Sequence, residues 1–207
     1  MKVLALCIVL FGTCQGFLFP KIKTVDQLDV AKYTGRWYEM YNSLFQRITF
    51  EKNSYCTNAI YTPRKGSNII GVLNSGVTGG PKGKVSDING TVYQTDPSNA
   101  PGELLVSFPS APQSKNANYL VIKLGPPTHG EKGQYEYTVI TSPGKNFSWI
   151  LARDVDVFRQ KYEAETLQFL KDNGFVWPWN KPMKTYQEKD CFYESYPEEI
   201  TPRQVIV

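Results

Sequence analysis

Short runs of apolar residues, separated by turn residues, fill the chain from Gly35 to Arg153. Several runs alternate apolar and polar positions, so that Leu104, Val106 and Phe108 share one side of their run. A period of two is typical of strands, and the Val, Ile, Tyr and Phe of these runs favour a pleated sheet. The pattern predicts eight strands, over residues 35–43, 55–62, 68–74, 83–95, 103–108, 118–124, 134–141 and 147–153.

The connections between these strands are rich in Gly and Pro and are too short to contain crossover helices. Strands that follow one another closely pair as antiparallel hairpins. A sheet of eight such strands can close on itself, which removes its free edges and leaves room inside for side chains or for one small ligand. The chain is therefore predicted to be an all-β protein, an eight-stranded antiparallel up-and-down β-barrel.

The hydrophobic period changes after the last of these strands. Residues 158–173 carry apolar side chains at helical spacing among Gln, Lys and Glu, and Gly174 is a typical C-terminal stop. This segment predicts one C-terminal α-helix packed outside the barrel. A short strand near residues 183–188 and a flexible tail over residues 195–207 are expected to follow.

The first sixteen residues have the pattern of a secretory signal peptide. Lys2 precedes an apolar run over residues 3–11, and the small residues Cys14 and Gly16 fit a cleavage site after Gly16. The alternative is an uncleaved membrane anchor, which this run is too short to provide. We therefore expect a secreted, extracellular protein with one folded domain over residues 17–194.

Removal of the signal peptide leaves two of the four cysteines, Cys56 and Cys191. An even pair in an exported chain predicts a disulfide, and two buried free thiols are the alternative. A crosslink that closes so long a loop stabilises by at most about 5 kcal/mol in the chain-entropy model.

Composition and charge narrow the class of partner. The chain is 41% hydrophobic and 14% aromatic, which is ample material for a core. Without the signal peptide it has 22 basic and 19 acidic side chains, a net charge of +3. Nucleic-acid binding needs a clustered basic surface, and these charges are too few and too dispersed for it.

Two segments at the ends of the predicted barrel carry a resemblance to a known family. The first strand opens with GRWYE over residues 35–39, and the last strand reads FSWILAR over residues 147–153. They resemble the G-x-W-Y motif and the arginine-ended last strand of the lipocalins. The placement of Cys56 and Cys191 is similar to a disulfide of the apolipoprotein D group. The resemblance covers residues 29–191.

The resemblance implies a structural role for Gly35, Trp37, Tyr38 and Arg153. Trp37 would plug one end of the barrel, and the guanidinium of Arg153 would lie over its indole, a contact of about 1 kcal/mol. One departure is clear: a longer Gly- and Pro-rich segment over residues 124–134 replaces the family's Thr-Asp-Tyr turn. A receptor contact made by that turn is therefore not carried over, and the group's second disulfide is absent.

The lipocalin topology implies an open mouth built by loops near residues 42–53, 75–82, 109–117 and 142–146. Aromatic residues there and on the strands are candidates for lining a ligand cavity. Each of them could instead pack in the core or against the helix, because one bulge exchanges the two faces of a strand. The ligand-binding candidates are Tyr41, Phe45, Tyr61, Phe108, Tyr119, Tyr137 and Trp149.

Two further positions are candidates for modification. Asn89-Gly90-Thr91 and Asn146-Phe147-Ser148 are N-glycosylation sequons, which secretion would make reachable. We therefore expect glycans at Asn89 and Asn146, with an unmodified polar residue as the alternative at each.

The sequence gives little support to enzymatic chemistry. His129 is the one histidine, and no nucleophile motif accompanies it. A disulfide between the two remaining cysteines would leave no thiol for catalysis or for a zinc site. Glu39 is expected to be hydrogen-bonded or solvated. We therefore expect no enzyme, no metal and no cofactor.

The function that these features predict is extracellular binding and transport or sequestration of a small hydrophobic ligand, such as a lipid, a retinoid, a carotenoid or a bilin. One alternative is a secreted interaction or scaffold protein of the same fold, whose interior is filled. A more remote one is a lipocalin-fold enzyme acting on a lipid. A cell-surface receptor is a candidate partner, and a monomer or weak oligomer is expected.

Overall fold

A computed structural model describes residues 22–193. The signal peptide, its cleavage after Gly16 and the tail over residues 195–207 lie outside the described residues. The strands are β1 (Gly35–Ser43), β2 (Ser54–Pro63), β3 (Ile70–Thr78), β4 (Lys84–Asp96), β5 (Ala100–Ser107), β6 (Tyr119–Leu124), β7 (Tyr137–Thr141), β8 (Ser148–Ala152) and β9 (Pro182–Lys184). The helices are α1 (Val30–Tyr33), α2 (Leu44–Thr49), α3 (Val155–Lys161) and α4 (Glu163–Asp172), with a 3-10 turn at Pro143–Lys145.

Strands β2 to β7 each pair antiparallel with the next strand along the chain. Strand β1 pairs with β8 on one side and with β2 on the other, which closes the sheet. The predicted eight-stranded antiparallel barrel is therefore confirmed. Strand β1 has the predicted bounds, whereas β3 runs on to Thr78 because its last residues continue to pair with the start of β4.

The C-terminal segment fills the gap where β1 and β2 separate. The two strands pair only from residues 35–38 to residues 58–61, and β9 pairs with the last three residues of β1. Beyond β9, the Thr185 N–H donates to the Met40 carbonyl at 2.9 Å, and the Gln187 amide donates to the carbonyls of Glu39 at 3.0 Å and Thr57 at 2.6 Å. The predicted last strand is therefore shorter than expected, and the rest of the segment bridges β1 and β2.

A disulfide fixes this segment to the barrel. The Cys56 and Cys191 sulfurs are bonded, with their Cα atoms 5.5 Å apart and a sequence separation of 135. The Cys56 N–H also donates to the carbonyl of Tyr186 at 2.9 Å. The predicted disulfide is therefore confirmed.

The barrel wall separates two apolar clusters. Side chains inside the barrel form the first, and side chains between the outer wall and helices α3 and α4 form the second. The buried interior cluster contains Leu28, Tyr33, Trp37, Ala59, Tyr61, Ile70, Val72, Val92, Leu104, Val121, Ile140 and Leu151. The buried outer cluster contains Met40, Tyr41, Tyr137, Val139, Ile150, Ala152, Phe158, Leu170 and Phe175.

The predicted C-terminal helix is confirmed, with a break at Tyr162 that divides it into α3 and α4. Helix α3 begins early because the Asp154 carboxylate accepts from the Val157 N–H at 2.8 Å, as an N-cap does. Tyr162 then leaves the helical conformation, at φ −121° and ψ −15°, and its ring packs 5.1 Å from that of Tyr137. The end at Gly174 is as expected, because its φ of +85° is the left-handed conformation that a helix C-terminus uses.

Removal of the disulfide should destabilise the barrel. The double variant Cys56→Ser, Cys191→Ser is expected to lose about 2–5 kcal/mol of unfolding free energy, because the unfolded chain is no longer crosslinked. Urea unfolding measures this loss, and the wild-type protein in excess reductant is the matched control. Equal midpoints for the oxidised wild type and the variant would show that the bond does not support the fold.

Candidate ligand-binding site

A buried cation closes one end of the barrel. The guanidinium carbon of Arg153 lies 3.6 Å from the centroid of the Trp37 ring, and Trp37 is fully buried. The Arg153 nitrogens donate to the carbonyls of Arg36 at 2.6 Å and Thr34 at 2.7 Å. Burial lowers the pKa of Arg153 to about 10, so the group stays charged at neutral pH. The expected Trp37–Arg153 contact is therefore present, and the N–H groups of the guanidinium are hydrogen-bonded to backbone carbonyls.

Gly35 is the residue that this arrangement requires. Its φ of +93° lies in the left-handed region, and a Cβ there would stand 3.1 Å from Nη1 of Arg153 and 3.3 Å from Nε2 of Gln134. Any other residue would be strained and would crowd the guanidinium.

The Gly- and Pro-rich segment between β6 and β7 folds onto this closed end. The Gln134 amide donates to the Thr34 carbonyl at 2.6 Å, and the Tyr135 N–H donates to the Lys32 carbonyl at 3.3 Å. His129 belongs to the same segment, with Nδ1 3.6 Å from a carboxylate oxygen of Glu136. The one histidine therefore lies at the closed end of the barrel, in the segment that covers the Trp37–Arg153 plug.

Three tyrosine hydroxyls meet inside the barrel beyond Trp37. The Tyr119 oxygen lies 2.7 Å from that of Tyr33 and 3.1 Å from that of Tyr61. The Tyr33 hydroxyl also donates to Oγ1 of Thr138 at 3.2 Å. Burial raises the pKa of all three phenols, that of Tyr61 to about 12, so the cluster is neutral at physiological pH.

The interior surface nearer the open end is apolar and accessible. Val106, Phe108 and Trp149 pack against the interior cluster, yet each remains partly exposed. The ring of Phe108 lies directly beside Gly90, where a Cβ would come within 2.5 Å of it. The absence of a side chain at Gly90 thus makes room for this ring.

Aromatic rings lead from the mouth into the interior. The Phe147 ring stacks 5.1 Å from that of Phe45 on α2 and 6.1 Å from that of Trp149 inside. The Phe45 N–H donates to the Trp179 carbonyl at 3.0 Å, which brings the segment after α4 to the same rim. The exposed large apolar side chains of α2, the residue that follows it and this segment are Phe45, Ile48, Phe50, Val176, Trp177 and Trp179.

Two neighbouring carboxyl groups, Glu39 and Glu51, lie between β1, α2 and the C-terminal segment. Glu39 is 3% exposed and accepts from the Thr185 hydroxyl at 2.6 Å. Glu51, just after α2, accepts from the Asn42 amide at 2.7 Å and the Gln46 amide at 2.8 Å. Burial, and then the neighbouring Glu51, raise the pKa of the Glu39 carboxyl well above its usual range. Glu39 is therefore buried and hydrogen-bonded, one of the two outcomes expected from the sequence.

Residues 22–193 contain neither a cluster of metal ligands nor a membrane-spanning helix. Within this range no group of three or more His, Cys, Asp or Glu side chains could hold a metal ion. No helix in the same range is long and apolar enough to cross a membrane.

A family model for the lipocalin-like domain matches residues 28–180. The chain belongs to the lipocalin family. Temperature-induced lipocalin-1 of Arabidopsis thaliana is 30% identical over 151 residues, which cover 69% of this chain and 72% of that protein. Apolipoprotein D of Rattus norvegicus is 34% identical over 182 residues, which cover 86% of this chain and 76% of that protein. The resemblance to the apolipoprotein D group is therefore confirmed.

The fold of this lipocalin is similar to that of solved structures. Insecticyanin from the tobacco hornworm Manduca sexta superposes with a TM-score of 0.59 at 19% identity, over 84% of this chain and 89% of that one. At this identity the similarity concerns the fold alone.

The lipocalin brings five of the seven aromatic candidates to the interior or the mouth. Tyr61 belongs to the buried interior cluster, and Phe108, Tyr119 and Trp149 pack against it. Phe45 lies at the rim, 37% exposed.

The prediction that Tyr41 and Tyr137 line the cavity is wrong, because both side chains face the helices outside the barrel. The Tyr41 hydroxyl donates to Glu163 at 2.8 Å, and the Tyr137 hydroxyl donates to Glu165 at 2.5 Å. In β1 a bulge between Glu39 and Tyr41 shifts the register, so the alternation that starts at Trp37 does not continue to Tyr41. These two tyrosines are therefore excluded as cavity-lining residues.

Sequence reasoning missed three interior or rim residues. Tyr33 lies in the helical turn α1, so strand alternation carries no information about it. Phe147 lies in a turn just before β8. Val106 could have been found, because it shares a strand face with Leu104 and Phe108.

The plug should depend on the shape of the guanidinium as well as on its charge. Arg153→Lys is expected to cost about 2–3 kcal/mol of unfolding free energy, because an ammonium cannot cover the indole and reach several carbonyls at once. Urea unfolding with tryptophan fluorescence measures the loss. Arg64→Lys, on the connection between β2 and β3, is the matched control, and an equal effect of the two substitutions would contradict the role of the plug.

The Glu39 carboxyl should make stability depend on pH. The pKa of this carboxyl is raised in the folded protein. Its contribution to the free energy of unfolding is therefore fully present below the pKa of the unfolded chain and is lost as the pH rises through the pKa of the folded protein. Glu39→Gln keeps an acceptor for Thr185 and cannot ionise, so the variant should gain stability relative to wild type between pH 4.5 and pH 8. Urea unfolding at the two pH values tests this, with the exposed Glu131→Gln as control. A constant difference between variant and wild type would refute it.

Proposed function

We propose that this lipocalin binds a small hydrophobic molecule inside its barrel and acts outside the cell as a carrier or sequestering protein for it. The observation that carries this proposal is that Val106, Phe108 and Trp149 face the interior and still remain partly exposed. Each Å² of apolar surface removed from water stabilises by roughly 25 cal/mol, so a nonpolar molecule seated on these side chains would gain affinity.

The rings at the rim support the same function. The series Phe45, Phe147, Trp149 offers a nonpolar path from the surface to the interior. A hydrophobic molecule that follows it would stay in contact with apolar groups on entering.

The proposed extracellular location is supported by three features. The first sixteen residues have the signal-peptide pattern, and the Cys56–Cys191 disulfide is of the kind that persists in oxidising compartments. The sequon asparagines Asn89, in β4, and Asn146, beside β8, both have exposed side chains, as glycosylation would require. We propose glycans at these two positions.

We propose no enzymatic role. Members of the family are mainly binding and transport proteins. Two ionisable groups weighed for chemistry already have partners in the fold, because His129 lies beside Glu136 and Glu39 accepts from Thr185.

The second candidate is a secreted interaction or scaffold protein. Close packing near the plug favours it, because Tyr33, Trp37, Val92 and Val121 are buried inside with at most 1% exposure. If packing continued to the mouth, no ligand would enter.

A substitution that fills the barrel separates these two functions. Val106→Trp adds a large ring to the interior and is expected to weaken binding of a hydrophobic fluorescent probe such as retinol by about tenfold or more. Tyr93→Trp enlarges a ring on the opposite face of the neighbouring strand β4 and is the control for a tryptophan placed outside the barrel. Titration by fluorescence gives both dissociation constants.

Extraction of the protein from its source provides the second readout. A stoichiometric apolar compound, found by organic extraction and mass spectrometry, is expected for a carrier. Absence of any extractable compound, together with equal probe binding by Val106→Trp and Tyr93→Trp, would refute carriage and favour the scaffold protein.

A further inference from the structure

Most of the exposed apolar side chains of this lipocalin lie on one surface, at the mouth of the barrel. Seven large apolar side chains are exposed within residues 22–193, and six of them come from the segments 45–50 and 176–179. The Phe45 N–H donates to the Trp179 carbonyl at 3.0 Å, so the two segments are in direct contact. Exposed apolar surface concentrated in this way marks a site of contact with a protein or a membrane. We call the six side chains the rim surface: Phe45, Ile48, Phe50, Val176, Trp177 and Trp179.

The helix that carries part of the rim surface is reversed in polarity. Helix α2 buries Gln46, at 7% exposure, and turns Ile48 to solvent, at 59%. The Gln46 amide donates to Glu51 at 2.8 Å, and the Gln46 N–H donates to the hydroxyl of the N-cap residue Ser43 at 3.3 Å. A surface helix of a globular domain usually does the opposite and packs its apolar side chains inwards. Polar contacts thus hold the apolar residues of α2 on the outside, where they stabilise the fold little.

A hydrogen-bonded turn holds the two tryptophans of the rim surface. The buried Asn180 side chain accepts from the Trp177 N–H at 3.0 Å and donates to the Gly174 carbonyl at 3.3 Å. The Lys181 N–H donates to the Trp177 carbonyl at 2.9 Å. The indole rings of Trp177 and Trp179 stack 5.6 Å apart and both remain exposed. Tryptophan is enriched at membrane interfaces, because it joins a large apolar ring to an N–H that can reach polar groups.

Basic residues outnumber acidic ones around the rim surface. The segments 44–53, 143–147 and 171–181 contain five basic and two acidic residues, an excess of three positive charges. One of the two acids, Glu51, accepts hydrogen bonds from two side-chain amides. An anionic lipid surface attracts such a cluster, whereas a second copy of this chain would bring like charges together. The basic residues are Arg47, Lys52, Lys145, Lys171 and Lys181.

We propose that the rim surface docks on an anionic lipid bilayer, with its aromatic rings among the headgroups and its basic residues beside the lipid phosphates and carboxylates. Burial of apolar area and attraction to anionic lipid add in this mode of binding. The path Phe45, Phe147, Trp149 opens at this surface, so a nonpolar ligand would pass between lipid and interior without crossing water. That exchange rests on the proposed function, whereas docking itself requires no ligand.

Vesicle flotation measures docking. Vesicles of phosphatidylcholine with about 30% phosphatidylserine are expected to bind the protein about tenfold or more tightly than phosphatidylcholine alone, and raising the salt from about 0.1 M to about 0.5 M should remove most of this difference. A glycan at Asn146 would stand beside the rim surface and hinder its approach to lipid. The variants are therefore made in the Asn146→Gln background, and the glycosylated wild type is expected to bind no more tightly than this background.

The apolar contribution is tested by removing exposed rings. Phe50→Ser and Trp177→Ser are each expected to weaken binding to the anionic vesicles about tenfold, because a ring that would leave water on docking is lost. Phe192→Ser is the matched control. Phe192 is 65% exposed but lies outside the rim surface, in the segment that Cys191 fixes to β2, and its loss should leave binding unchanged.

The charge contribution is tested by a double variant. Lys52→Ser, Lys181→Ser should weaken binding to the anionic vesicles about tenfold or more and change binding to phosphatidylcholine little. Lys65→Ser, Lys132→Ser removes the same charge from exposed positions near the closed end and is the matched control.

The possible failures can be distinguished. Failure of the anionic vesicles to bind the protein, or equal losses in the rim variants and their controls, would overturn docking on lipid and leave the carrier function standing. A dimer in analytical ultracentrifugation that Phe50→Ser and Trp177→Ser dissociate would assign the rim surface to a second copy of the chain instead. Absence of retinol binding in solution would contradict the proposed function without affecting docking.

Discussion

The barrel depends on hydrogen-bond partners along the whole of β1. One edge of this strand pairs with β8, and the other pairs with β2 for residues 35–38 and with β9 for residues 41–43. Between these stretches, Thr185 and Gln187 bind the carbonyls of Met40 and Glu39. Unpaired backbone groups there would be buried without water, so the C-terminal segment completes the wall, and its disulfide to β2 holds it in place.

Closure of the wall makes the two ends of the lipocalin chemically different. At one end, Arg153 covers Trp37 and donates to backbone carbonyls, so the guanidinium stabilises the fold and is not available to a ligand. At the other end, apolar rings such as Phe45 and Phe50 are exposed on or beside a short helix that is itself held through Glu51. Groups that stabilise the barrel and groups available to a ligand are thus separated along the barrel axis, and either set can be altered while the other is kept.

Much of this architecture was predictable from the sequence, because alternation and turn residues are local signals. The eight strands, the disulfide and the Trp37–Arg153 contact all follow from such signals or from the family motifs. The orientation of Tyr41 could not be predicted from local signals, since the bulge in β1 depends on pairing with β8. The break at Tyr162 lacks Gly or Pro and follows instead from packing of its ring on Tyr137. The role of Tyr33 could not be inferred either, because its partners come from three other elements.

The tyrosine cluster inside the barrel depends on several parts of the fold at once. Tyr33 comes from α1, Tyr61 from β2, Tyr119 from β6 and Thr138 from β7, so four separate elements must be in place before the hydroxyls meet. Folding in a buried site requires that each proton find an acceptor, because an unsatisfied buried donor costs about 1–3 kcal/mol. The hydroxyl cluster is therefore a product of complete folding, and the interior that a ligand would meet exists only when all four elements have assembled.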